Sequence, residues 1–165
     1  MNRDYGIMPW FGGLFTIILM LTGIGCQKPS TETSPETSAW AAAEAYSGKM
    51  GVSGTIVLDS RLAKKTDKTD VLYIIAYDAD RPRGLGPPLA AKRISNPRFP
   101  MAYHIGPEDV ISEGGSFSKR IMVSARVDKD GDAGPIQPGD MTGAYKKNPA
   151  KDGEGAVDVV IDTVN

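Results

Sequence analysis

Arg120-Ile121-Met122-Val123-Ser124-Ala125-Arg126-Val127-Asp128 is the stretch that decides the fold. Apolar Ile121, Val123, Ala125 and Val127 alternate with Met122, Ser124 and Arg126, a period of two that puts one set on a buried face and the other toward water in an extended strand. The same reading extends outward in both directions. In Val52 to Leu58, Val52, Gly54, Ile56 and Leu58 share one face and Ser53, Thr55 and Val57 the other. Val71 to Tyr77 is apolar on both faces, as a central strand must be. Pro87-Pro88 leads into a strand over Leu89 to Ile94, and Pro100 into one over Met101 to Ile105. A last strand over Ala156 to Val164 turns Val157, Val159 and Ile161 inward and Asp158 and Asp162 outward, and a short one over Met141 to Tyr145 completes seven. Because no helical stretch interleaves these strands, parallel βαβ units are excluded. Residues 51–165 are expected to form an all-β, antiparallel sandwich of six to seven strands.

Composition narrows the chemistry this domain can host. Lys plus Arg number 19 and Asp plus Glu 20, a net charge of −1, so there is no basic footprint for nucleic acid. The single cysteine rules out an intrachain disulfide, a CxxC redox pair and a thiolate zinc cluster, and the single histidine argues against a mononuclear copper or zinc site. The expectation is a protein with no catalytic residues, no metal and no cofactor.

The amino-terminal segment bears on compartment. Tyr5 to Gly25 is 21 residues without a charged side chain, built around Leu14-Phe15-Thr16-Ile17-Ile18-Leu19-Met20-Leu21, and the free amino terminus with Arg3 outweighs Asp4 ahead of it. It ends at Leu21-Thr22-Gly23-Ile24-Gly25-Cys26, which resembles the lipobox of bacterial lipoproteins, although Gly23 stands where that pattern usually has Leu. The resemblance implies cleavage before Cys26 and diacylglycerol on its sulfur, so that residues 1–25 are a signal peptide. An uncleaved membrane anchor is the other reading, since such a run also spans about 30 Å. Both tether the remainder outside the cytoplasm. Gln27 in place of Asp implies, again by resemblance, sorting to the outer rather than the inner membrane. Residues 26–50 then read as a polar tether, Gln27 to Ser38 having nothing to anchor a core. One short helix is expected there, capped by Ser34 with Pro35 in its first turn and carrying Trp40 to Tyr46 before Gly48.

Several segments together resemble the periplasmic C-terminal domain of the cytochrome c-type biogenesis protein H family. They are Gly51 to Asp59, Leu62-Ala63, Val71 to Ala76, Pro87-Pro88-Leu89-Ala90 with Arg93, Phe99 before Tyr103, Ser124-Ala125-Arg126-Val127, Gly131-Asp132-Ala133, Gln137-Pro138-Gly139-Asp140 and Val157 to Asp162. They run in the family's order across nearly all of residues 51 to 164. The resemblance implies an Ig-like domain, which in that family sits behind a membrane anchor and a helical repeat domain that handles apocytochrome c during haem attachment. Here a tether of about 25 residues stands in place of the repeats, and they are the part credited with gripping the apocytochrome.

Each remaining motif has a plain reading beside a chemical one. His104, next to Met101 and Tyr103, is either an ordinary strand residue or an axial haem ligand or half a copper site, and a cupredoxin centre would need a second His and a Cys. Asp128-Lys129-Asp130-Gly131-Asp132 lacks the distal Glu of a calcium loop and reads first as a tight turn. Ser112, Ser116 and Ser118 have no base triad. Lys64-Lys65 and Lys146-Lys147 read as solvated loop charges. The Gly106 to Ser116 loop places Glu108 and Asp109 beside apolar Val110 and Ile111, a small apolar contact with a polar rim. Those four are the candidate partner-binding residues. The competing reading is that Val110 and Ile111 plug one end of the sandwich.

The expected function is that of a non-enzymatic binding or accessory module, held at the membrane by lipid on Cys26 and facing the periplasm. By the resemblance, its partner is another exported protein, an apocytochrome c or a cytochrome c assembly factor. The alternative is a structural or glycan-binding envelope lipoprotein unrelated to cytochrome assembly. An enzyme is a remote third, and would need His104 for acid-base work at neutral pH.

Overall fold

The computed structural model describes residues 49–81, 87–112 and 116–165. The signal or anchor segment, Cys26, the tether up to residue 48 and the helix expected within it lie outside the described residues.

Eight strands and two 3₁₀ turns, with no α-helix among the described residues, make up the domain: β1 (Val52–Leu58), β2 (Val71–Asp78), β3 (Ala90–Ser95), β4 (Met101–Ile105), β5 (Arg120–Asp128), β6 (Met141–Tyr145), β7 (Ala150–Lys151) and β8 (Val159–Val164). The turns are Ala63–Lys65 and Pro107–Asp109. The strands form one continuous path in the order β3-β2-β5-β6-β8-β1-β4, with β7 beside the start of β5. Its two end strands approach each other, since Lys92 of β3 donates from Nζ to the His104 carbonyl of β4 at 2.7 Å. The sheet has folded over on itself. Inside lie Ile56, Leu72, Ile74, Ile105, Ile121, Val123, Val127, Met141, Val157, Val159 and Ile161, all fully buried.

The alternation in β5 comes out as read: Ile121, Val123, Ala125 and Val127 are buried, and β5 pairs with β2 along eight residues from Val71↔Asp128 to Asp78↔Ile121. On its other edge β5 meets β6 at Ser124 to Val127 and β7 at Arg120 and Ile121. Between them the ladder has a gap at Val123, and Asn148 fills it. Its side chain accepts from Val123 N–H at 2.8 Å and donates to Val123 C=O at 2.9 Å, so neither buried backbone group is stranded. The sheet bends at β6, where a register shift falls between Thr142 and Gly143. A Cβ on Gly143 would lie 2.0 Å from the Val160 carbonyl, so only glycine admits this approach.

Several details differ from the expectation, and two strands shift by one residue: the third runs Ala90–Ser95 rather than Leu89 to Ile94, and the second reaches Asp78. β1 and β8 pair in parallel, at Ile56↔Val159 to Leu58↔Ile161, while every other strand pair is antiparallel. Alternation reports which face is buried and is blind to strand direction. The strand count is eight because Ala150–Lys151 adds a two-residue strand too short to leave a pattern. The last strand begins at Val159 rather than Ala156, whose φ of 55° takes the backbone out of the extended region.

Candidate functional site

The segment after β4 is built by the backbone before any side chain acts. Asp109 N–H donates to Gly106 C=O at 3.0 Å and Val110 N–H to Pro107 C=O, closing the Pro107–Asp109 turn, with Pro107 pre-setting its first helical angle. The chain then runs beside the start of β3: Val110 bridges Ala90, and Ile111 N–H donates to Leu89 C=O at 3.0 Å. Ser112 Oγ donates to Pro88 C=O at 3.1 Å.

The four candidate residues are brought together and then split in role. Asp109 is turned inward, its Oδ2 accepting from Gly106 N–H at 3.2 Å and lying 3.1 Å from Lys92 Nζ, so its carboxylate ties the turn to β3. Val110 is half-buried against the core. Glu108 and Ile111 face outward, with 59% of the Glu108 side chain and 54% of Ile111 exposed. Of the four candidates, a carboxylate and an aliphatic side chain are therefore exposed to solvent. Of the two apolar residues, Val110 alone packs against the core.

Beneath the turn lies His104, buried in β4, with Nε2 at 3.3 Å from Glu108 Oε1. Bare backbone flanks the imidazole: a Cβ on Gly51 would come 2.9 Å from His104 Cε1, and one on Gly106 2.8 Å from Nε2. Burial holds the imidazole below the ordinary histidine value. Glu108 and Asp109 pull it upward, and Lys92 and Lys49 push it further down. Among the described residues there is no cluster of three or more His, Cys, Asp or Glu side chains able to hold a metal ion.

The loop after β5 has the tight turn read from its sequence, with Gly131 at a φ of 78° and its N–H donating to Asp128 Oδ1 at 2.7 Å. The alternation of β5 predicts Arg126 in water. It is in fact 7% exposed, because the loop folds back over the outer face of β5. Its guanidinium donates to Gly134 C=O at 2.9 Å and Asp132 C=O at 3.2 Å, lies 2.9 Å from Asp128 Oδ2 and sits over the Tyr73 ring. The oxygens that a bound cation would take thus converge on a side-chain cation. Asp130 and Asp132 accept instead from the backbone N–H two residues on. No sequence signal marks this arrangement, which depends on how the loop returns.

Beside that loop the outer face of β2, β5, β6 and β8 carries an open trough of about 530 Å³, with Tyr77 and Ile136 on its walls and Ser124, Thr142, Thr163 and Asp162 lining it. Lys64 and Lys65, on the Ala63–Lys65 turn, and Lys146 and Lys147, in the turn after β6, are exposed.

Residues 52–162, from the first residue of β1 into β8, match the model of the cytochrome c-type biogenesis protein H Ig-like domain. An uncharacterized protein of Aquifex aeolicus (strain VF5) is 30% identical over 149 residues, which cover 90% of this chain and 93% of that protein. Among solved structures, an alternative pilotin from the type II secretion system of Vibrio cholerae is similar at 14% identity, with a TM-score of 0.43 over 68% of this chain and 96% of that one.

Proposed function

The chain belongs to the cytochrome c-type biogenesis protein H Ig-like domain family, and from that membership we propose that it is a non-enzymatic accessory module of cytochrome c maturation. It contacts another exported protein, a cytochrome c precursor or an assembly factor, through the surface that Glu108 and Ile111 present. The observation that carries the reading is the family match, which spans the strand framework from β1 into β8. The turn supports the choice of surface. It sets one exposed carboxylate and one exposed aliphatic side chain on a backbone pinned by Asp109, Lys92 and Val110, so a partner would meet a preformed contact at little ordering cost.

In the same proposal the domain works outside the cytoplasm, held at the membrane by lipid on Cys26 after removal of residues 1–25. Intact-mass analysis then finds a chain that begins at a lipid-modified Cys26. Unchanged size and membrane retention in Cys26→Ser would assign the tether to an uncleaved anchor instead.

The experiment that tests the function is capture by the full chain from detergent-solubilised envelope, with the bound proteins identified by mass. A cytochrome c precursor or assembly factor in the eluate is the expected result. A second reading, glycan binding, draws on the trough: Tyr77 gives a sugar ring an aromatic face, and Ser124, Thr142, Thr163 and Asp162 give its hydroxyls polar partners. Retention on envelope glycan without any cytochrome-assembly protein in the eluate would select that reading.

A further inference from the structure

His104 is the chain's single histidine, and it lies directly under the one acidic side chain that the Pro107–Asp109 turn exposes. Among the described residues, the charged groups that act on it come from three elements. Glu108 and Asp109 belong to the turn, Lys92 to β3, and Lys49 to the segment before β1. Asp109 and Lys92 are committed to each other at 3.1 Å, and Lys92 also holds the His104 carbonyl. Glu108 is the partner that can respond, since its side chain is largely exposed and reaches His104 Nε2 at 3.3 Å.

We propose that the proton on His104 gates the turn: a neutral imidazole leaves the Glu108 carboxylate available to a cationic group of a partner, and a charged imidazole holds it against the domain. This rests on the turn being the contact surface. The physical contrast is between a neutral N–H donating to a carboxylate and an imidazolium paired with one, the second being the stronger bond and shielded by burial on the His104 side. Protonation must overcome the cost of charging a buried ring, which burial sets and Lys92 and Lys49 increase, so the change falls below the ordinary histidine value. Glycine at 51 and 106 makes the room the ring occupies, since a Cβ at either position would lie within 3 Å of it.

A single histidine makes the test direct. The imidazole carbon-bound proton of the full chain in detergent micelles is followed by NMR from pH 7.5 to 4.5, together with the backbone amides of residues 108 to 111. The expected result is one imidazole midpoint below 6.5, shared by the amides of Glu108 and Asp109. In Glu108→Gln, the imidazole midpoint falls further, because the charge favouring the protonated form is gone, and the amides lose the shared transition. Amides that move only in the carboxylate range, or an imidazole midpoint that Glu108→Gln leaves unchanged, would overturn the gate. Neither result touches the contact surface itself, which stands or falls on capture of a partner at neutral pH.

Discussion

Val110 and Ile111 are adjacent in sequence and opposite in environment, so replacing each by serine separates a packing role from a surface role. Val110 is half-buried against the core and Ile111 is 54% exposed. Full burial of a valine side chain is worth about 1.5–3 kcal/mol, so half of it is about 1 kcal/mol. A hydroxyl placed among apolar neighbours adds about 1 kcal/mol more, for a total near 2 kcal/mol. For residues 51–165, unfolding entropy of about 2.1 cal/mol/K per residue amounts to about 0.24 kcal/mol per degree, so Val110→Ser lowers Tm by about 8 °C. Ile111→Ser keeps the backbone bond to Leu89 and changes only an exposed side chain, worth at most about 0.5 kcal/mol or about 2 °C. The assay is thermal unfolding of residues 49–165 followed by far-UV circular dichroism. If Ile111→Ser lowers Tm as much as Val110→Ser, Ile111 is part of the plug and cannot be presented to a partner as argued.

Val123→Asp puts an unpaired charge at a fully buried position of β5, next to the Asn148 clasp. It is expected to cost about 4 kcal/mol or more, seen as loss of the sheet spectrum and of protease resistance at 25 °C. Arg126→Ala strips the cation from a carboxylate, Asp128, that is completely buried. Urea unfolding should show a loss of about 3–5 kcal/mol, and added calcium should restore none of it because Asp130 and Asp132 are engaged with the backbone. For His104, burial depresses the folded value below 6.5. Well above 6.5 the imidazole is neutral in both folded and unfolded chains, and as pH falls through 6.5 the unfolded chain takes up the proton first, so folded stability declines until the folded midpoint is passed. Urea midpoints between pH 7.5 and 5 should therefore fall less steeply in His104→Gln than in the parent chain.

Where side-chain alternation alone sets the geometry, the sequence is a good guide. The bounds read for the strands at 52–58, 101–105, 120–128 and 141–145 coincide with those observed, with Gly51 and Asp59 flanking the first and Pro100 and Gly106 the second. The parallel pairing of β1 with β8 left no trace, since direction is carried by the connection and not by the pattern of faces. Arg126 was misplaced for a related reason: its position in β5 points outward, and it is buried by a loop whose return path depends on Gly131 and on backbone carbonyls at 132 and 134. At the candidate site, the sequence picks out the right segment by its turn residues and its mixed apolar and acidic content. Which members of Glu108, Asp109, Val110 and Ile111 face out depends on Lys92 and Ala90, which lie some 15 to 20 residues earlier and become neighbours only when β3 and β4 close the sheet.

The claim that matters most is that this domain serves cytochrome c maturation through the Glu108 and Ile111 surface, and position-specific photo-crosslinking in intact cells reads it directly. A photoreactive amino acid is placed at Ile111 in the full chain and, in a separate chain, at exposed Asp130 on the loop after β5. The account predicts an adduct from position 111 that contains a cytochrome c precursor or assembly factor, and none from position 130. An adduct with such a protein from position 130 alone, or partners at position 111 that have no part in cytochrome c assembly, would contradict it.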